Sequence, residues 1–353
     1  MTAYATRADA AAPLPSLVKI DISPQCSLAC PHCLHADPAE RGRSLLDRQE
    51  FKKSHRMDLA QFEGVIDQIK DKAVAISLFY YGDPLAHPQI DEMIAVARAA
   101  RLEVHLTSHF SYNFTEARIR RLVDAGLSHI TVAVDGATQE SYEQTRVRGR
   151  LDWVLANLKM MSDYKHAQKL KHPFIEVQHI LFPHHAPDEL KRVRDMAEEL
   201  RVDTFTSFEG LRFDERGDLY NVVDDDPQTV CAGPARGAAL TPHCHWPFSS
   251  TVIRYDGDVI PCCLWRSGRQ YVPDEERDPH IKGNVFDQSL QAIWNSPAYS
   301  ALRRQVSNPR RASKEGAAAT FCDGCPRLHM KPDKATAPAP GEVYNGQTAP
   351  GLS

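Results

Sequence analysis

Three cysteines, Cys26, Cys30 and Cys33, fall within the eight residues CSLACPHC. Thiolates so closely spaced are ligands for soft metals. A structural zinc ion closes its shell with four ligands, so three thiolates leave a coordination position free. A four-iron cluster on three thiolates likewise keeps one iron open to a small molecule. A zinc ion that takes its fourth ligand from a distant residue is the other reading. A second group lies far downstream: Cys231, Cys244, Cys262, Cys263, Cys322 and Cys325. Cys244, Cys262 and the CDGC pair Cys322 and Cys325 make four thiolates that could close a zinc site or fully ligate an iron-sulfur cluster, and spacing alone does not choose.

Bulk properties frame this chemistry. The 353 residues suffice for one large domain with a smaller companion. Forty-two basic against 46 acidic residues give a formal charge of −4, which argues against a nucleic-acid binder. The start MTAYATRADAAAPLPS has neither a basic n-region nor an apolar h-region, and no apolar run reaches the length of a membrane span. Without an export signal, nine cysteines suit metal or redox chemistry in a reducing cytoplasm better than disulfides.

The elements around the cysteines alternate. Apolar, β-rich runs at 17–23, 73–83, 103–109, 129–136, 174–182 and 203–211 read as six strands. Amphipathic runs at 58–71, 87–101, 115–126, 151–167 and 188–200 read as helices, with Ile90, Met93, Ile94 and Ala97 on one face of the second and Leu151, Val154, Leu155 and Leu158 on one face of the fourth. Strands alternating with helices predict parallel pairing, hence an α/β sheet or incomplete barrel with its functional residues at the strands' carboxyl ends. Cys26 follows the first strand directly. Within EVQHIL, period-two alternation lets only one of Gln178 and His179 point inward.

Beyond about residue 215 the alternation stops. STVIRYDGDVIPCC reads as a β-hairpin turning at Asp256-Gly257, and DQSLQAIWNSPAYSALRRQV as helical. The expected organisation is a disordered leader (1–16), a partial barrel (17–215), a linker (216–243), a small cysteine domain (244–328) and a disordered tail (329–353). The polar insertion 35–56 is a solvated excursion or a lid over the site.

The spacing Cys-x3-Cys-x2-Cys after a first strand resembles the signature of the radical S-adenosylmethionine (SAM) enzymes, whose fold is a partial (β/α)6 barrel. The resemblance implies that Cys26, Cys30 and Cys33 ligate a [4Fe-4S] cluster whose open iron chelates SAM. One electron then cleaves SAM to a 5'-deoxyadenosyl radical, which abstracts a hydrogen atom from substrate. His32 stands where the family commonly has an aromatic residue. YYGDP, with Tyr81, Gly82, Asp83 and Pro84, is similar to the family's Gly-Glu-Pro element, whose backbone holds the SAM amino group. By position, Thr107, Ser108, Asp135, Arg146 or Arg148, and Gln178 are expected near SAM or substrate.

CHWPFSSTVIRYDGDVIPCC through CDGC resembles the SPASM and twitch modules that follow many radical SAM domains. That implies a second, auxiliary [4Fe-4S] cluster on Cys244, Cys262, Cys322 and Cys325. No cysteine follows Cys325, which points to the shortened, one-cluster form. Cys231 and Cys263 are left over. Buried cysteines commonly just pack; either could instead donate a hydrogen atom to a substrate radical.

The expected activity is abstraction from an alcohol-bearing carbon of a sugar, aminoglycoside or aminocyclitol, as in 2-deoxy-scyllo-inosamine dehydrogenase and neomycin C epimerase. Epimerisation is favoured, with dehydrogenation through the auxiliary cluster, peptide modification and a non-catalytic zinc protein as alternatives. A small-molecule substrate and a flavodoxin or ferredoxin electron donor are the partners so implied, with neither nucleic acid nor membrane.

Overall fold

The computed structural model describes residues 12–31, 33, 35, 54–209, 211–213, 219–221, 244–263, 281–307 and 322. Strand β1 (Leu17–Ile20) is followed by α1 (Leu59–Ile69), β2 (Ala75–Ser77), α2 (Ile90–Ala99), β3 (Glu103–Ser108), α3 (Glu116–Asp124) and β4 (His129–Ala133). Next come α4 (Gln139–Thr145), α5 (Leu151–Ala167), β5 (Phe174–Leu181), α6 (Glu189–Glu199) and β6 (Thr204–Glu209). Beyond them lie a two-stranded ribbon, β7 (Leu211–Phe213) with β8 (Leu219–Asn221), and then α7 (Trp246–Ser249), β9 (Ser250–Ile253), β10 (Val259–Ile260), α8 (Leu290–Trp294) and α9 (Pro297–Ser307).

The helices form where the periodicity places them. All four residues of the predicted α2 face are buried, as are Leu151, Val154 and Leu158 of α5, while Leu155 stays half-buried. Asp58 and Gln61 close a capping box at the start of α1. The short helix α4 lies in a stretch that carries no clear apolar period, and the predicted C-terminal helix is two, α8 and α9, because Pro297 cannot continue the first.

The six predicted strands pair in parallel, and the sheet is longer than expected. Its order is β10-β9-β1-β2-β3-β4-β5-β6, open at both ends rather than closed into a barrel. Strand β9 runs parallel to β1 with Leu17 opposite Ser250, and β10 returns antiparallel to β9 through the Asp256-Gly257 turn, where Gly257 takes φ +86°. The hairpin expected in a small separate domain thus extends the main sheet. Gln68 of α1 adds a tie, donating to Val285 O (3.2 Å) and accepting from Leu290 N (2.7 Å).

The expected leader also needs correction. Trp294 Nε1 donates to Pro13 O (2.8 Å), Val74 N donates to Ser16 O (2.9 Å) and Ala12 is buried. Residues 12–16 are therefore docked onto the body. Most of 35–56, nearly all of 216–243 and all of 329–353 lie outside the described residues, and the readings made of them stay there.

Along β3, β4 and β5 one face is mostly apolar, with Val104, Leu106, Ile130, Val132, Ile175 and Val177 buried, and turns polar toward the carboxyl ends at Ser108 and His179. The concave face is polar, as a sheet facing a lumen should be. Thr131 and Thr206 donate to Glu176 (2.8 and 2.6 Å), His129 Nε2 lies 3.0 Å from the same carboxylate, and His105 Nε2 lies 3.0 Å from Thr131 Oγ1. Burial would raise the Glu176 pKa, yet hydrogen bonds from His129, Thr206 and Thr131 outweigh it and hold the carboxyl at about 2. Burial, then the nearby His129 and Lys19 charges, pushes His105 down to about 3.

His105 is thus neutral in the fold where an unfolded chain would be protonated. Between pH 6.5 and about 3 the unfolded state binds the extra proton, so this contribution is complete above the unfolded value and lost as pH falls. Each such site contributes up to about 1.4 kcal/mol per pH unit. Denaturant unfolding between pH 6.5 and 4 should show a shallower acid slope for His105→Gln than for the parent. An identical slope would show that His105 does not set acid lability.

Candidate metal and cofactor site

At the carboxyl ends of the strands lies a cavity of about 330 Å³. Its wall contains Cys26, Cys30 and Cys33 together with Tyr81, Gly82, Asp83, Thr107, Ser108, Asp135, Arg146 and Gln178. Pro84 opens a short 3-10 turn behind the wall, exposed Arg148 does not line it and His32 lies outside the described residues; the other residues singled out near the first cluster are gathered here. Gln178 settles the alternation of EVQHIL: it faces the cavity, whereas His179 is fully buried on the other face, its Nδ1 2.7 Å from Val134 O.

The cysteine loop is pinned at Gly82 and Asp83. A Cβ on Gly82 would come within 2.2 Å of Ser23 O, 2.5 Å of Pro24 C and 2.6 Å of Gln25 O, so only glycine lets the loop's backbone lie there. Asp83 N donates to Gln25 O (2.8 Å). Its buried carboxylate accepts from Leu85 N (2.9 Å), from Ser108 Oγ (2.8 Å) and from His109 N (2.9 Å). The Ser108 hydroxyl is therefore committed to Asp83, which leaves Thr107 as the hydroxyl of that strand end that faces the cavity. His109 Nε2 is 3.4 Å from Ser27 Oγ inside the cysteine loop. The sequence reading overlooked this histidine; its place one residue past a strand end was the available signal.

Fully buried Asp135 and half-buried Arg146 form an ion pair. Arg146 Nε donates to Asp135 Oδ2 (2.7 Å), while Asp135 Oδ1 accepts from Ile180 N (2.7 Å). Arg146 is consequently not a solvated surface arginine. Burial pushes Cys30 up to about 11, with Arg146 opposing and Cys33 adding to the shift. Burial, then the Asp83 and Cys33 charges, raises Cys26 well above the ordinary thiol value.

In the C-terminal part, Cys322 is buried within the hydrophobic core, and Cys244 and Cys262 are half-buried at the margin of that core. Cys262 and Cys322 both lie within electrostatic reach of Tyr299. Cys231 and Cys325 fall outside the described residues. No described cysteine is in a disulfide. Cys263 is half-buried and, like Cys262, lies within electrostatic reach of Lys19 and Tyr80. Tyr80 belongs to the cavity wall, and the Lys19 ammonium sits 3.9 Å above the ring of Phe79, another wall residue. Neither Lys19 nor Phe79 was singled out from sequence, although alternation along their strands places both on the lumen side.

An open parallel sheet with three cysteines at its carboxyl edge defines a class, and comparison identifies it. The model of the radical SAM superfamily matches residues 20–197, half of the 353-residue chain, and the chain belongs to that superfamily. The model of the SPASM iron-sulfur cluster-binding domain matches residues 244–326. The chain is 23% identical over 307 residues to a PqqA peptide cyclase of Gluconobacter oxydans, covering 82% of this chain and 79% of that protein. Matches to two other PqqA peptide cyclases span 32% and 30% of those proteins. Among solved structures, Streptococcus suis SuiB bound to precursor peptide SuiA aligns with a TM-score of 0.58 at 14% identity, covering 82% of this chain and 66% of that one. BtrN in complex with AdoMet and 2-DOIA aligns with a TM-score of 0.49 at 16% identity, over 86% and 91%. Membership of this superfamily displaces the non-catalytic zinc alternative. The domains imply a SAM-binding [4Fe-4S] cluster and auxiliary iron-sulfur ligation.

The described residues fit such cofactors. Among them, no three Cys, His, Asp or Glu side chains converge tightly enough for a single metal ion. The three N-terminal thiols line one cavity, as joint ligands of a cluster must. Thiols whose burial and mutual repulsion disfavour ionisation need a metal to displace their protons. No helix among the described residues is long and apolar enough to cross a membrane.

If the Gly82 contact sets the cysteine loop, Gly82→Ala should lose iron from anaerobically reconstituted protein while circular dichroism keeps the parent's secondary structure. The displaced backbone should cost about 1–3 kcal/mol in unfolding free energy. Full iron content in that variant would show that the loop tolerates a side chain there.

Proposed function

We propose that this radical SAM enzyme removes a hydrogen atom from an alcohol-bearing carbon of a small polar substrate and that Cys263 returns one from the opposite side, inverting the centre. The thiol of Cys263, assigned to neither cluster and within electrostatic reach of the cavity-wall residue Tyr80 and of Lys19, supports this reading. In it, Cys26, Cys30 and Cys33 hold the open cluster, and Cys244, Cys262 and Cys322 hold the auxiliary one together with Cys325. When bound, the first cluster and SAM supply one-electron chemistry able to break an unactivated C–H bond.

The chain's own residues do the rest. Thr107 and Gln178 present hydrogen-bonding groups to whatever fills the cavity. The Asp135–Arg146 pair fixes a positive charge beside Cys30. In the returning step the Cys263 S–H bond breaks as a C–H bond forms. One electron and one proton, the electron delivered by a flavodoxin or ferredoxin, then restore the thiol.

A second reading has its own support. Similarity to a PqqA peptide cyclase runs over 82% of the chain, and the SuiB fold match is to a structure holding a precursor peptide. In this reading the substrate carbon belongs to a peptide side chain and Cys263 merely packs.

Turnover in deuterium oxide separates the outcomes. Epimerisation should give product one mass unit heavier than substrate, and Cys263→Ala should abolish it while keeping the parent's iron content. Product two mass units lighter would mean dehydrogenation or cross-linking instead. An isotopically unlabelled product, or full epimerisation by Cys263→Ala, would eliminate the thiol donor.

A further inference from the structure

Beneath the cofactor cavity, one rung of the sheet crosses the lumen from β1 to β5. Lys19 pairs in register with Ser77, Ser77 with His105, His105 with His129 and His129 with Phe174. Period-two alternation sets these side chains on the concave face, where Lys19, Ser77, His105 and His129 are half-buried. Rings join along the rung: Phe79 meets His105 edge-on (5.2 Å between centroids), His105 stacks on His129 (4.5 Å) and His129 meets Phe174 (5.4 Å).

Each polar side chain of the rung but one has a hydrogen-bond partner. Ser77 Oγ lies 3.3 Å from His105 Nδ1, His105 Nε2 3.0 Å from Thr131 Oγ1, and His129 Nε2 3.0 Å from Glu176 Oε2. The exception is Lys19. Among the described residues its ammonium makes no hydrogen bond and no ion pair; it lies 3.9 Å above the ring of Phe79. Glu176, the carboxylate of this floor, already serves Thr131, Thr206 and His129.

An ammonium brings three donors and no acceptor. The face of a ring offsets only part of the water that a half-buried cation has given up. Asp21, Cys262 and Cys263 act on Lys19 electrostatically, yet burial outweighs them and lowers its pKa. An anion seated at the ammonium would supply both the countercharge and the acceptors. The cavity gives such a group its way in, because Phe79 lines it, as does Thr107, two residues beyond His105 on the same strand. A molecule reaching past Phe79 meets Lys19 with a neutral His105 beside it.

We propose that Lys19 is a substrate-recognition residue whose ammonium pairs with an anionic group, a carboxylate or a phosphate ester, on the hydroxylated molecule that enters the cavity. This deepens the reading above, since it rests on the substrate occupying that cavity and names the charge it carries. A polycationic substrate would set its own charges against Lys19, whereas a sugar acid or sugar phosphate would not.

The test measures binding without turnover, on anaerobically reconstituted full-length protein with SAM and no reductant. Saturation-transfer NMR titrations use glucuronate, glucose 6-phosphate, methyl glucoside and glucosamine, sugars of one ring type that differ in charge. One of the two anions should bind about tenfold tighter than methyl glucoside, with glucosamine weakest, and which anion it is tells carboxylate from phosphate. Lys19→Met should erase that preference at the parent's iron content, and Lys19→Arg should keep it. A parent that does not distinguish the sugars, or that binds neither anion saturably, overturns the proposal, as does a preference that survives in Lys19→Met. Should Lys19→Met lose iron, the comparison moves to Lys19→Gln; loss by both shows that the ammonium serves the cysteines and overturns the proposal. Because no turnover is involved, a failed epimerisation test leaves the anion preference intact, and an absent preference leaves epimerisation untouched.

Discussion

The site hangs on a close backbone contact. Residues 23–25, which lead into the first cysteine, lie directly on Gly82, and the Asp83 amide takes the Gln25 carbonyl. The Asp83 carboxylate then gathers the turn after β2 and the end of β3. Asp83 is thereby the node through which three segments fix the cysteine loop. Its role is one of scaffolding by side chain as well as backbone, which the position of a short acidic residue in a Gly-Asp-Pro turn does not reveal.

Much of this was legible in the residues. Helical periodicity located α5 to the residue and α2 to within three residues at each end, because a one-sided apolar stripe has few other ways to be buried. Clustering of the motif residues followed from parallel strands presenting their carboxyl ends to one side. What could not be read depended on pairing between distant segments. Nothing local in STVI says that it lies beside LVKI, and nothing in Ala12–Ser16 announces its hydrogen bonds to Trp294 and Val74. The place of Cys263 depends on how β10 ends, which residue spacing leaves open.

The pairing of β9 with β1 has one more implication. Strand β1 runs toward Cys26, and the hairpin that begins with β9 runs into Cys262 and Cys263. Because the hairpin reverses, Cys262 and Cys263 leave the ladder near the start of β1 while Cys26 lies beyond its other end, so a slip in the β9–β1 register would move both groups of cysteines at once.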